Sequence, residues 1–146
     1  MPRIVALDVG DATIGVAASD ELMITANPVR TIRRGRSVKA DLRAVEAVLG
    51  ELDACKVVVG LPLTADGEEG IQAQKVKDFS SRLAKRLAIP LEYWDESFST
   101  KDAESALIEM DASRARRRKT IDSMAAAVIL GSYLGEGGER KAESEG

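Results

Sequence analysis

The sequence contains no histidine and a single cysteine, Cys55, among 146 residues. Without imidazole, Ser-His-Asp and Cys-His hydrolases, histidine-ligated zinc and imidazole acid-base chemistry are all excluded. One thiol cannot build a disulfide framework or a cysteine zinc site within a chain. Placed just ahead of Val57-Val58-Val59, Cys55 reads instead as a small buried core residue. No apolar run approaches the roughly 20 residues of a membrane span. The N-terminus also lacks the basic, apolar, small-residue succession of a signal peptide, so a cytosolic protein with no membrane partner is expected. Aromatic residues are scarce, with one Trp, two Tyr and two Phe, which leaves few platforms on which bases could stack.

What remains is a chain of 45% hydrophobic and 31% charged residues, the composition of one soluble globular domain with enough length to bury a core. Its formal charge of -3 argues against a generally basic coat, yet the positive charge is patterned. Of 21 Lys and Arg, six fall in residues 30–43 (Arg30, Arg33, Arg34, Arg36, Lys39, Arg43) and five in residues 114–119 (Arg114, Arg116, Arg117, Arg118, Lys119). Each cluster is either a solvated surface or a phosphate-binding patch.

Residues 3–9 read as a strand, and Gly10-Asp11 as a tight turn into a second strand in which Ile14, Val16 and Ala18 alternate with small or polar residues. Asn27-Pro28 marks another turn, before an arginine-rich and therefore edge-like third strand from Val29 to Arg33. Ser37 suits the N-cap of a helix striped by Val38, Leu42, Val45, Val48, Leu49 and Leu52. The wholly apolar run Val57-Val58-Val59-Gly60, ended by Pro62, has the signature of a strand buried on both faces. Glu68 and Glu69 then introduce a helix whose buried stripe is Val76, Phe79, Leu83 and Leu87. A strand at Leu91 to Trp94 delivers Asp95-Glu96, after which Ser99 or Thr100 could cap a helix burying Ala103, Ala106, Leu107 and Met110. Thr120 is predicted to cap a final helix, Ile121 to Leu134, beyond the basic run. The tail from Gly135 has the composition of a disordered segment. The element order gives an α/β fold with a mixed five-stranded sheet, an antiparallel meander followed by parallel strands, flanked by helices on both faces. One domain, residues 1–134, and a charged tail, 135–146, are expected.

In such sheets ligands gather at the carboxyl ends of the strands. Asp8 lies near the end of the first strand, Glu96 just past the last, and Asp122 in the first predicted turn of an otherwise apolar helix. Each has a plain alternative, as a turn residue, a surface carboxylate and a favourable helix N-terminal charge. A buried, isolated carboxylate costs several kcal/mol or more, so a buried Asp8 calls for a shifted pKa, a cation partner or a metal. Three oxygen ligands converging in a histidine-free chain suit a hard cation, Mg²⁺ or Mn²⁺.

The residues also resemble a known family, the bacterial YqgF or RuvX-like proteins, associated with Holliday junction resolution and pre-16S rRNA processing. The likeness spans residues 4–134. It rests on "LDVGDATIGVAASD" (7–20), "GLPLTADG" (60–67), "QKVKDFSSRLAKRL" (74–87), "WDESFST" (94–100) and "RRRKTIDSMAAAVIL" (116–130). The resemblance implies a ribonuclease H-like fold with its acidic, metal-binding and catalytic site on Asp8, Glu96 and Asp122. Two positions depart from the family pattern: Ala12-Thr13 replaces a common Lys-Arg pair, and Ser97 a frequent Arg. Asp11 and Asp95 are further carboxylates near the site, ranked below the main three.

Phosphodiester hydrolysis needs an activated water and stabilisation of developing charge, which two divalent ions held by such carboxylates can supply. Arg116, Arg117, Arg118 and Lys119, together with Ser99 and Thr100, are the candidate contacts to nucleic acid. The expectation is therefore a metal-dependent nuclease acting on structured nucleic acid, first of all the 5′ end of pre-16S rRNA, within a pre-ribosomal particle. A resolvase of branched DNA and a non-catalytic ribosome-assembly or nucleic-acid-binding module are the alternatives, with the protein a monomer or weak homodimer. The actin-like and sugar-kinase ATPases share an Asp-x-Gly turn, but they need two lobes and this length holds only one.

Overall fold

The computed structural model describes residues 2–64, 66–95 and 114–137, with side chains from Ser123 onward in the last segment. Five strands, β1 (Arg3–Val9), β2 (Thr13–Ser19), β3 (Ala26–Arg33), β4 (Ala54–Leu61) and β5 (Leu91–Asp95), form one sheet in the order β3-β2-β1-β4-β5. β1, β2 and β3 pair antiparallel, whereas β4 and β5 join β1 in parallel. Helices α1 (Val38–Glu51) and α2 (Ile71–Arg86) supply the crossovers, and α3 (Arg114–Ser132) is followed by a π-helical turn, Tyr133–Gly137. Among the described residues, no helix is long and apolar enough to cross a membrane.

β1 is central, so both of its faces are covered, and its side chains alternate between two cores. Val5, Leu7 and Val9 join Ile14, Val16, Val57, Val59 and the stripes of α1 and α2 in one cluster. Ile4 and Ala6 join Ala17, Val58 and the α3 residues Ala126, Ile129 and Leu130 in the other. The short side chains of α3, Ala125 to Ala127, let it lie close on the sheet, where it covers β1, β2 and β3.

Ser37 caps α1 as expected, its hydroxyl accepting the Ala40 N–H at 3.1 Å. Elsewhere the boundaries move. Asn27-Pro28 is not a turn but part of β3; Pro28 faces Ala17 beside a register shift, a position an edge strand tolerates because it has one hydrogen-bonded neighbour only. The turn lies earlier, where Asp20 Oδ1 accepts the Ile24 and Thr25 N–H groups at 2.7 and 3.0 Å and Met23 takes a left-handed φ of 58°. Cys55 is half-buried, a free thiol packed against the α3-side cluster. Thr120 caps nothing: α3 begins at Arg114, so the basic run is helical and Asp122 sits well inside the helix. Helical structure also continues to Gly137, past the expected tail boundary at Gly135. The helix expected over Ala103, Ala106, Leu107 and Met110 lies outside the described residues.

The C-terminal end of α3 is fastened by polar contacts. Lys56 Nζ donates to Tyr133 Oη at 2.5 Å and pairs with Glu92 at 2.9 Å, while the Tyr133 hydroxyl donates to Glu92 Oε2 at 2.9 Å. Trp94 Nε1 donates to Ser132 Oγ at 3.0 Å, and its ring meets Tyr133 edge-on at 5.5 Å. Burial pulls the Lys56 pKa down, but the bonds to Tyr133 and Glu92 outweigh it and leave the ammonium harder to deprotonate than usual. Burial pushes the Tyr133 phenol up as well. Both groups bind protons more tightly folded than unfolded, so their contribution is complete below their ordinary values of 10.5 and 10.0 and is lost as pH rises beyond them. The melting temperature should therefore fall above about pH 10. In Tyr133→Phe it should start lower at neutral pH and show a shallower alkaline decline, as followed by circular dichroism.

Candidate active site

Of the three main predicted carboxylates, Asp8 is the one whose side chain is described, and the strand pattern fixes its direction. Ile4 and Ala6 face α3, so Asp8 does too. Its cross-strand partner is Gly15, and Gly60 follows the Leu7–Val59 pair on the other side. Neither neighbour carries a side chain. The carboxylate is partly exposed, although the rest of the strand interior is buried. Solvent thus lowers the cost of a charge that the apolar sequence around it would otherwise forbid.

Asp122 belongs to α3, and the helix runs against the direction of β1. Its C-terminal Tyr133 meets Lys56 and Glu92 near the starts of β4 and β5. Gly131 lies against Ala26, which pairs with Ser19, and the Ser19 hydroxyl accepts the Ile4 N–H. From this level to position 122 the helix rises about 13 Å. From Ile4 to Asp8 the strand advances about 13 Å. The backbone at 122 therefore stands level with Asp8, on the stripe that continues through Ala126, Ile129 and Tyr133. Glu96, Ser99 and Thr100 lie outside the described residues, as do the side chains of Asp122 and Arg116 to Lys119. Among the described residues no three acidic, His or Cys groups are gathered to hold a metal.

The two secondary carboxylates go to the other face. Asp95 ends β5 on the side of Tyr93, over whose ring Lys77 of α2 lies at 5.8 Å. Asp11 sits in the β1–β2 turn and pairs loosely with Lys75 of α2 at 3.4 Å, both more than half exposed. Neither shares the Asp8 face.

The turn that follows Asp8 is held by a pair that the sequence did not reveal. Arg34 Nε donates to Asp41 Oδ2 at 3.0 Å, its Nη1 donates to the Gly10 carbonyl at 2.9 Å, and its guanidinium covers the Phe79 ring at 4.9 Å. Asp41 Oδ1 accepts the Gly35 N–H at 2.8 Å, and the Arg34 N–H reaches the Ala12 carbonyl at 2.9 Å. Gly10 N–H closes the turn on Thr13 at 2.8 Å. Asp41 occupies the first turn of α1, a position that reads as an ordinary dipole-favourable acid. The only sequence signal was its place on the buried helix face.

The sheet order, the antiparallel β1–β3 meander and the parallel β4 and β5 beneath helices on both faces define a ribonuclease H-like fold. Thermus thermophilus RuvC in complex with a Holliday junction superposes with a TM-score of 0.61 at 15% identity, covering 93% of this chain and 98% of RuvC. A second T. thermophilus RuvC structure gives 0.51 at 13% identity, over 92% and 96% of the two chains. Residues 2–136 match the family described as RuvX: Holliday junction resolvase, and the chain belongs to that family. A Symbiobacterium thermophilum protein named "Putative pre-16S rRNA nuclease" is 48% identical over 142 residues, 97% of this chain and 98% of that protein. A Myxococcus xanthus protein of the same name is 48% identical over 132 residues, 90% and 87% of the two chains.

Because Asp41 is buried and Arg34 nearly so, with side-chain exposures of 6% and 18%, removing one partner strands the other. Arg34→Met should lower the unfolding free energy by about 3–5 kcal/mol. In urea titrations, adding Asp41→Ala to that variant should cost much less than Asp41→Ala alone, since the pair is already broken.

Proposed function

We propose that this protein is a divalent-metal-dependent nuclease that hydrolyses phosphodiester bonds in structured nucleic acid, its principal substrate being the 5′ end of pre-16S rRNA in a pre-ribosomal particle. A cytoplasmic location follows from that substrate. The observation that carries the reading is Asp8, a partly exposed carboxylate near the carboxyl end of the central strand, with only glycines, Gly15 and Gly60, beside it on the neighbouring strands. The names of the relatives and the family support the substrate class.

The donor set suits a hard cation, since it is oxygen-only, the chain has no histidine, and its one cysteine is on β4. Asp8, Glu96 and Asp122 would hold Mg²⁺ or Mn²⁺. When bound, such ions supply an activated water and neutralise charge on the transferring phosphoryl group. The chain's own contribution is to orient the three carboxylates and to hold the substrate backbone. Gly15 and Gly60 leave Asp8 accessible, and the Arg34 brace steadies the turn behind it.

The basic start of α3 would bind phosphate. Arg116, Arg117, Arg118 and Lys119 are four cations in succession, and a polyanion would relieve their mutual repulsion. As helix positions, 118 and 119 share the face of 122, whereas 116 and 117 turn away. Ser99 and Thr100 complete the proposed nucleic-acid contacts. Resolution of branched DNA is the second reading, favoured by the family's description, and it would require two active sites related by a dimer axis.

Incubation with labelled pre-rRNA 5′ ends, single strands and four-way junctions, with Mg²⁺ or Mn²⁺, tests the assignment. Asp8→Asn should abolish cleavage while preserving the fold and most binding; full activity would remove Asp8 from the chemistry. Wild-type protein that binds but never cuts would make it an assembly module. In thermal melts Mn²⁺ should stabilise the wild type, by about 2.7 kcal/mol at a hundredfold excess over its dissociation constant. Asp8→Asn should melt higher than wild type in EDTA and gain less from Mn²⁺, having lost both a repelling charge and a ligand.

For the basic run, Arg118→Ala with Lys119→Ala should flatten the salt dependence of nucleic-acid binding by about 0.7–0.9 log units per lost phosphate contact. Arg116→Ala with Arg117→Ala should change it less. Equal slopes for the two pairs would contradict the helical placement of the contacts.

A further inference from the structure

Behind the β1–β2 turn, on the face of the sheet opposite Asp8, α1 and α2 enclose an open cleft of about 420 Å³. Its floor is Phe79 with Arg34 stacked on it, and its α2 wall is the stripe Lys75, Asp78, Phe79 and Arg82, spaced as neighbours on one helix face. Two of its charges are already matched: Arg34 pairs with Asp41 and Lys75 with Asp11. Arg36 and Arg82 are exposed and have no ion-pair partner among the described residues. They face a single remaining carboxylate, Asp78, so the mouth of the cleft is positive on a protein whose formal charge is -3.

We propose that this cleft is a second contact for the sugar-phosphate backbone of the nucleic-acid substrate, with Arg36 and Arg82 as its phosphate-binding residues. The inference rests on the nuclease reading above and extends it from the α3 face to the other side of the hairpin. Asp11 lines the cleft three residues from Asp8, and three residues of chain span at most about 10 Å. A sugar-phosphate backbone covers that distance within a few nucleotides, so a strand leaving the Asp8 site and rounding the turn enters the cleft that Arg36 and Arg82 line. The exposed Lys75–Asp11 pair, weak in water, can open as a phosphate takes the lysine. Guanidinium groups suit this role because each offers a planar fork of donors to phosphate oxygens. The contacts touch no base edge, so they set the position of the strand and leave sequence unread. The arginine-rich segment after β3 thereby acquires a use beyond solubility.

The test measures binding in an Asp8→Asn background, where the probe survives, using fluorescence anisotropy of a labelled RNA stem with a single-stranded 5′ extension over a range of salt. Arg36→Gln with Arg82→Gln should weaken binding and flatten the log-log salt slope by about 1.4–1.8 for two lost phosphate contacts, with an unchanged melting temperature. Lys39→Gln with Arg43→Gln removes the same charge from exposed positions of α1 that do not line the cleft, and should leave the slope close to its parent's. Equal effects of the two pairs, or no effect of either, would overturn the cleft assignment. If wild-type protein meanwhile cuts the probe, the nuclease reading stands alone. If wild-type protein neither binds nor cuts RNA stems or four-way DNA junctions, that reading fails and the cleft proposal falls with it.

Discussion

Everything in this fold depends on the alternation of side chains along β1. A central strand covered on both faces must send successive residues into two separate cores, and any polar residue it carries is committed to one of them. Val5, Leu7 and Val9 serve the α1–α2 core; Ile4 and Ala6 serve the α3 core. Asp8 falls on the second face, and the positions flanking it on β2 and β4 are Gly15 and Gly60. A valine at either would lie over the carboxylate and raise the cost of its charge. The register thus does two things at once: it closes the hydrophobic layers and sets only glycines beside the one carboxylate in the strand.

Much of this was legible beforehand. The period-two runs of β1 and β2, the β-branched run of β4 and the three-four stripe of α1 are strong signals because the cores that enforce them are continuous. The errors fall where local signals compete with the tertiary structure. Asn27-Pro28 reads as a turn, but Pro28 sits on the edge strand, where a missing N–H is tolerated. Thr120 looks like a cap, yet the chain is already helical from Arg114, since arginine and lysine are good helix formers. Of the proposed acidic site, Asp8 could be read from its place near a strand end. The glycines that keep it open could not, because cross-strand neighbours are distant in sequence and only the register brings them together.

The charged residues divide into those that hold the fold and those held out to solvent, and sequence proximity does not sort them. Arg34 and Arg36 are two residues apart. Arg34 is spent on Asp41, the Gly10 carbonyl and the Phe79 ring, whereas Arg36 is exposed beside it. The difference comes from Asp41, whose own burial on α1 demands a cation and selects the nearest one that can reach. A similar economy holds at the other end of the sheet, where Glu92 is matched by Lys56 and the Tyr133 hydroxyl, and α3 is anchored without further apolar area.

Pro28 and the register shift beside it in β3 bear on self-association. An exposed strand edge is an invitation for a second sheet to extend it, and β3 is such an edge. It lacks a donor at Pro28 and shifts register beside it, so a second strand laid along it would miss a hydrogen bond there and fall out of step. A continuous ten-stranded sheet formed through β3 is therefore disfavoured.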